Sequence, residues 1–125
     1  MSASPRADLA AALADAGPPG LTVFAEEPAT PPALPAFVIR PGQPYRTTQT
    51  LNPYCVEAWR LEIVALVPID AVLPLDQLDA LVLVARDVIR AWTNARYNGV
   101  RLAPTVQTIS GKSAHAAVVE LDVDI

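Results

Sequence analysis

With 125 residues, 52% of them hydrophobic and 18% charged, the chain suits one domain that buries roughly two thirds of its surface, and it is too apolar to be disordered throughout. A formal net charge of -4 argues against a protein that grips nucleic acid by its phosphates. Pro68, Asp70, Pro74, Asp76 and Asp79 interrupt the most apolar region, so no run reaches the ~20 residues that span a bilayer, and the single cysteine, Cys55, excludes an intramolecular disulfide or a cysteine-based metal cluster.

Met1 to Arg6 lacks a basic segment followed by a continuous apolar one, so no signal peptide is expected. Pro5 to Ala16 reads as a short amphipathic helix: Ser4 can cap it, Pro5 suits its first position, and Leu9 and Leu13 lie four apart on one face among alanines. Residues 17–20, Gly-Pro-Pro-Gly, stop it. Leu21 to Ala25 favours a strand, Glu26 to Pro35 is a proline-stiffened loop, and Ala36 to Arg40 is a second strand ending at Pro41 and Gly42. Pro41 to Tyr54 carries no helical periodicity. A loop of that length in a small domain is commonly functional or mobile, and its threonines favour extended backbone, which suggests a projecting loop or β-arm at about 41–55, either a partner contact or a plain solvent-exposed loop.

The chain is organised around Val56 to Val67. Trp59, Leu61, Ile63, Ala65 and Val67 share one face by the two-residue period of a strand, and that face is wholly apolar. The opposite face begins polar at Arg60 and Glu62 and turns apolar at Val64 and Leu66. Leu75 to about Tyr97 reads as the major helix, with Leu75, Leu78, Val82, Ala85, Ile89 and Trp92 as its core stripe and Leu81, Val84 and Val88 widening it. Asn98 and Gly99 supply its stop. Thr105 to Ile109 is a strand candidate, residues 110–113 a turn, and His115 to Ile125 a final strand. In that strand Ala117, Val119, Leu121, Val123 and Ile125 face inward while Glu120, Asp122 and Asp124 face out. The expected fold is α+β, a mainly antiparallel sheet with two α-helices packed on one face, in the order α-β-β-β-α-β-β, as a single domain over 1–125.

Searches for chemistry in the pattern end in structural readings. Glu120, Asp122 and Asp124 stand nearly 7 Å apart along one strand face, too far for all three to share an ion, and read as a solvated or lumen-facing acidic face. His115 has no sequence-adjacent nucleophile or orienting carboxylate. Residues 110–113, Ser-Gly-Lys-Ser, resemble the tail of a phosphate-binding loop, but Val106 stands where its first glycine belongs and a strand follows where the motif needs a helix. Trp59 and Trp92 read as core partners. Arg86 and Arg90, four apart on the helix, are either a solvated flank or a contact to carboxylates of another subunit. No catalytic residue, cofactor or metal is expected.

The layout as a whole carries a resemblance. A short helix, a proline-rich link, "PAFVIRPGQPY", a polar stretch leading into "WRLEIVALVP", then "LDQLDALVLVARDVI" and a final alternating strand resemble the siphophage tail terminators, tail-completion proteins of the lambda U type, over about Leu9 to Ile125. The resemblance implies a non-enzymatic virion assembly protein, built in the host cytoplasm and located at the tail neck. Its copies would form a homohexameric ring that caps the tail tube, ends tube polymerisation and helps join head to tail. The implied partners are other copies of the chain, the tail tube protein and a head-closure or connector protein, with DNA as transiting cargo and no membrane. Tyr45, Arg46, Gln49 and Tyr54 on the arm, with Arg86 and Arg90, are then the candidate subunit or tube contacts. Glu120, Asp122 and Asp124 are the candidate lumen face. The alternatives are another neck or tube component, a small α+β enzyme, or a ligand-binding module.

Overall fold

The computed structural model describes the backbone of residues 5–51, 54–92 and 95–124, and their side chains except at 5, 43–58, 101–104 and 124. Its elements run α1 (Pro5–Ala16), β1 (Thr22–Phe24), β2 (Ala36–Leu51), β3 (Tyr54–Pro68), α2 (Pro74–Ala91), β4 (Ala95–Ile109) and β5 (Lys112–Asp124). The strands form one sheet in the order β1-β2-β3-β5-β4, antiparallel throughout except for the short β1–β2 pair. This is the expected α+β order, with the long strand β3 at the centre of the sheet.

Both helices lie on one face of the sheet. Phe37 and Ile39 of β2, Leu61, Ile63, Ala65 and Val67 of β3, and the alternate residues Ala117 to Val123 of β5 meet Leu9 and Leu13 of α1 and the buried stripe of α2. Each fully buried leucine, isoleucine or phenylalanine contributes about 1.5–3 kcal/mol of transfer free energy, so this layer holds the domain together. α2 starts at Pro74, whose missing N–H costs nothing in a first turn, and Asp76 sits there beside the positive end of the helix dipole. Its stripe is Leu78, Leu81, Ala85, Val88 and Ile89, which corrects the expected one. Leu75, at 55% exposed, lies outside it, whereas Leu81 and Val88 are central.

α2 also ends sooner than its periodicity implied. Trp92 is extended, at φ -85° and ψ 126°, and its N–H donates to the Ile89 carbonyl to close the last turn. Ala95, Arg96 and Tyr97 belong instead to β4, paired with Val123, Asp122 and Leu121. Gly99 therefore stops no helix. At φ +100° it sits beside a register shift in β4, where a left-handed residue accommodates the extra chain. Ser110 and Gly111, both at positive φ, make the tight two-residue turn into β5.

β2 continues through Pro41 and Gly42, past the expected end of the second strand, to Leu51. After an irregularity between Pro41 and Arg46 it pairs with β3 from Arg46↔Trp59 to Leu51↔Tyr54. The stretch expected to project is therefore paired antiparallel with β3 from Arg46 to Leu51. On the far side of β3, pairs with β5 run from Pro68↔Ala114 to Ala58↔Asp124. Among the described residues, the pairs Thr48↔Glu57 to Leu51↔Tyr54 thus form a two-stranded ribbon that reaches about 13 Å beyond the last β3–β5 pair.

Candidate functional site

The second face of the sheet, turned away from the helices, divides into two halves. One half is apolar: Val38, Val64, Leu66, Ile109, Ala114, Ala116 and Val118 are buried, with Phe24 and Leu34 packed against them. Residues 25–35 form the cover. Pro32 is buried, and the Ser110 hydroxyl donates to the Pro28 carbonyl, tying this segment to the β4–β5 turn.

The other half is ionic. Register places Arg40, Glu62 and Glu120 side by side on β2, β3 and β5, and Arg60, Asp122 and Arg96 side by side on β3, β5 and β4. Glu62 is 4% and Asp122 2% exposed. The Arg60 Nε donates to Asp122 Oδ1 at 3.0 Å and lies 3.9 Å from Glu120 Oε1. Arg96 Nη2 is 3.9 Å from Asp122 Oδ2, and Arg40 Nη2 is 3.5 Å from Glu62 Oε1. Directly opposed like charges repel across a strand pair, so Glu62↔Glu120 is a register that needs the flanking guanidiniums. The hydrogen bond to Asp122 holds the Arg60 pKa above its ordinary value. Burial opposes that rise, and the charges of Asp122 and Glu120 add to it.

Three guanidiniums and three carboxylates neutralise one another in this grid. Its chemistry is that of an ionic lock across four strands. The expected acidic face is corrected accordingly: Asp122 is buried between Arg60 and Arg96, and Glu120 is half-buried beside Arg60, so neither is a solvated carboxylate. The Asp124 side chain lies outside the described residues. Alternation alone separates the two faces of β5, but it does not reveal that the arginines of β3 and β4 meet its acidic face. The overlooked members are Arg40, Arg60, Glu62 and Arg96. The one signal for them in the sequence is the polar start of the second face of β3.

The remaining candidates are dispersed. Tyr45, Arg46, Gln49 and Tyr54 all lie on the β2–β3 hairpin, with Arg46 paired to Trp59 and Gln49 to Val56, and their side chains fall outside the described residues. Arg86 pairs with its neighbour Asp87 at 3.2 Å, and Arg90 stacks its guanidinium 5.7 Å from the Tyr97 ring. Both belong to α2, on the opposite side of the sheet from the ionic grid. Trp92 packs against the core, and Trp59 is half-buried at the β3 end nearest the ribbon. His115, half-buried in register with Val67 and Val106, points to the face opposite the grid. Between the helices, Ala16, Val84, Asp87, Val88 and Ala91 line a shallow open groove. Among the described residues no three His, Cys, Asp or Glu gather as a metal site, and no helix is long and apolar enough to cross a membrane. No protein-family model matches the chain, and a search of curated proteins finds no significant relative.

Proposed function

We propose that this chain is a non-enzymatic, ring-forming assembly protein of a phage tail, of the tail-terminator type. In this reading its copies close into a ring that caps the tail tube, ends tube growth and presents a docking face to a head-closure or connector protein. DNA is cargo that passes through the ring. The protein works in the virion neck, without cofactor or membrane.

The observation that carries the reading is the β2–β3 ribbon. Two-stranded antiparallel ribbons are marginal in water unless a further strand or a packed layer supports them. Here, among the described residues, four consecutive cross-strand pairs, Thr48↔Glu57 to Leu51↔Tyr54, lie beyond the last β3–β5 pair, Ala58↔Asp124. A projection of that kind supports a protein that finishes its packing against neighbours. Heterologous contacts between unlike surfaces of identical subunits close into rings, which is the assembly a tube cap needs.

The test is negative-stain electron microscopy of the purified protein, alone and mixed with tail tubes of its own virus. Rings of about 80 kDa, six copies at 13.3 kDa each, or caps at one tube end, are the expected outcome. Long self-assembled tubes would make the protein a tube subunit instead. A monomer that ignores tubes would overturn the assembly role.

A further inference from the structure

The sheet has two edges, and most of each is unsuited to strand pairing. On β2, the partner β1 covers Ala36–Val38, and the edge beyond is interrupted by Pro41, Pro44 and the irregularity between Pro41 and Arg46. On β4, register shifts fall between Tyr97 and Gly99, Val100 and Leu102, and Leu102 and Thr105, with Pro104 in the last. Prolines and bulges are the devices by which sheet edges avoid joining other strands.

One stretch of each edge lacks those devices. Arg46 to Leu51 of β2 holds an unbroken register with β3, and Thr105 to Ile109 of β4 holds one with β5. Both are free of proline and rich in threonine, and Val106 on the second is 56% exposed. Among the described residues neither stretch has a strand on its outer side. The two also run in matching senses. β2 is antiparallel to β3, β3 to β5 and β5 to β4, so β2 and β4 point in opposite directions. A second copy placed beside the first in the same orientation therefore brings its β4 antiparallel to the first copy's β2.

We propose that copies of this chain join edge to edge, the Arg46–Leu51 stretch of one pairing antiparallel with the Thr105–Ile109 stretch of the next, so that one sheet continues through the assembly. The proposal rests on the ring reading above and specifies its contact. The two stretches lie at diagonally opposite corners of the sheet, because Arg46–Leu51 is next to the ribbon end of β3 and Thr105–Ile109 faces the start of β5. The joined strands are thus inclined to the ring axis. Two different edges make the contact heterologous, and the blunted stretches beside them confine pairing to five or six residues, which fixes its register.

The test is disulfide scanning in a Cys55→Ser chain. Thr48→Cys is combined in turn with cysteine at each of positions 105–109, and the scan is repeated with Thr50→Cys. The mass of every variant is measured before oxidation, so that a misfolded variant is recognised as such. The expected result is a ladder of covalent oligomers from one partner position per scan. The partner of Thr50 should lie two residues before the partner of Thr48, as antiparallel pairing requires. A ring-sized assembly that yields no ladder in either scan overturns this contact and leaves the ring reading standing. Ladders whose partner positions rise together overturn the antiparallel arrangement. A monomer throughout overturns both.

Discussion

The two faces of the sheet solve the same burial problem by different means. Toward the helices, the odd-numbered residues of β3 from Leu61 to Val67 meet apolar side chains from two strands and two helices, and the buried members of this layer among the described residues are all apolar. On the other face the even-numbered residues start with Arg60 and Glu62, and burial there depends on pairing guanidinium with carboxylate strand by strand. The first solution tolerates any apolar shape that fills the space. The second depends on partners, because a buried carboxylate without its guanidinium is far costlier than a missing methyl group.

Three single substitutions, one double variant and one pH series bear on that contrast, in order of expected effect. Leu61→Ala, on the helix side, should cost about 2–5 kcal/mol in urea denaturation, since its neighbours come from both sheet and helices and cannot collapse into the gap. Asp122→Ala should cost about 2–3 kcal/mol. That is less than the about 3–5 kcal/mol of a fully buried broken pair, because Arg60 keeps 25% of its side chain in solvent and can be hydrated. A clearly larger loss at Asp122 than at Leu61 would reverse the ranking of the layer held by volume over the one held by pairing.

Gly42→Ala probes the join between the grid and the hairpin. A Cβ there would collide with the Arg60 Cγ and lie 3.0 Å from the Arg60 carbonyl oxygen, so the backbone must give way as well as the side chain. A loss of about 1–2 kcal/mol in thermal or urea melting is expected. The combined change Arg60→Met with Asp122→Leu should cost about 1 kcal/mol, less than Asp122→Ala, because it removes one guanidinium with one carboxylate and keeps apolar volume, although Glu120 and Arg96 each lose a partner. If the double variant falls as far as Asp122→Ala, the grid contributes more than the mutual compensation of its charges.

The smallest expected effect is a pH dependence. Arg60 is raised above its ordinary value by Asp122, so its contribution is fully present below the unfolded value and is lost only as pH rises through the higher folded one. The stability difference between the parent and Arg60→Gln should therefore stay constant from about pH 7 to about pH 10 in urea melts. A difference that shrinks across that window would contradict the raised value.

How far the sequence predicts this structure depends on whether the cause is local. α1, β3 from Val56 to Val67, the turn at Ser110 and Gly111 and the alternation of β5 are legible because helical spacing, period-two burial and turn chemistry act over a few residues. Pro41 and Gly42 look like a terminus that ends β2 at Arg40, yet an edge strand tolerates a proline and resumes pairing after an irregularity. Residues 95–97 follow the helical stretch of α2 without a break in the sequence. Pairing with Leu121, Asp122 and Val123 won them for β4, and local periodicity does not show what a strand 25 residues later offers.

The ionic grid marks the same boundary. Composition and alternation determined an α+β domain with an apolar central strand, two helices on one face and charges confined to the other. They also showed that Asp122 and Glu120 share a face. Only the tertiary structure decided that this face is a neutral lock, because register across β2, β3, β5 and β4 brings Arg40, Arg60 and Arg96 to those carboxylates. A strand's period tells which side a residue faces, whereas what it meets there is set by long-range pairing, to which residues far apart in the chain contribute equally.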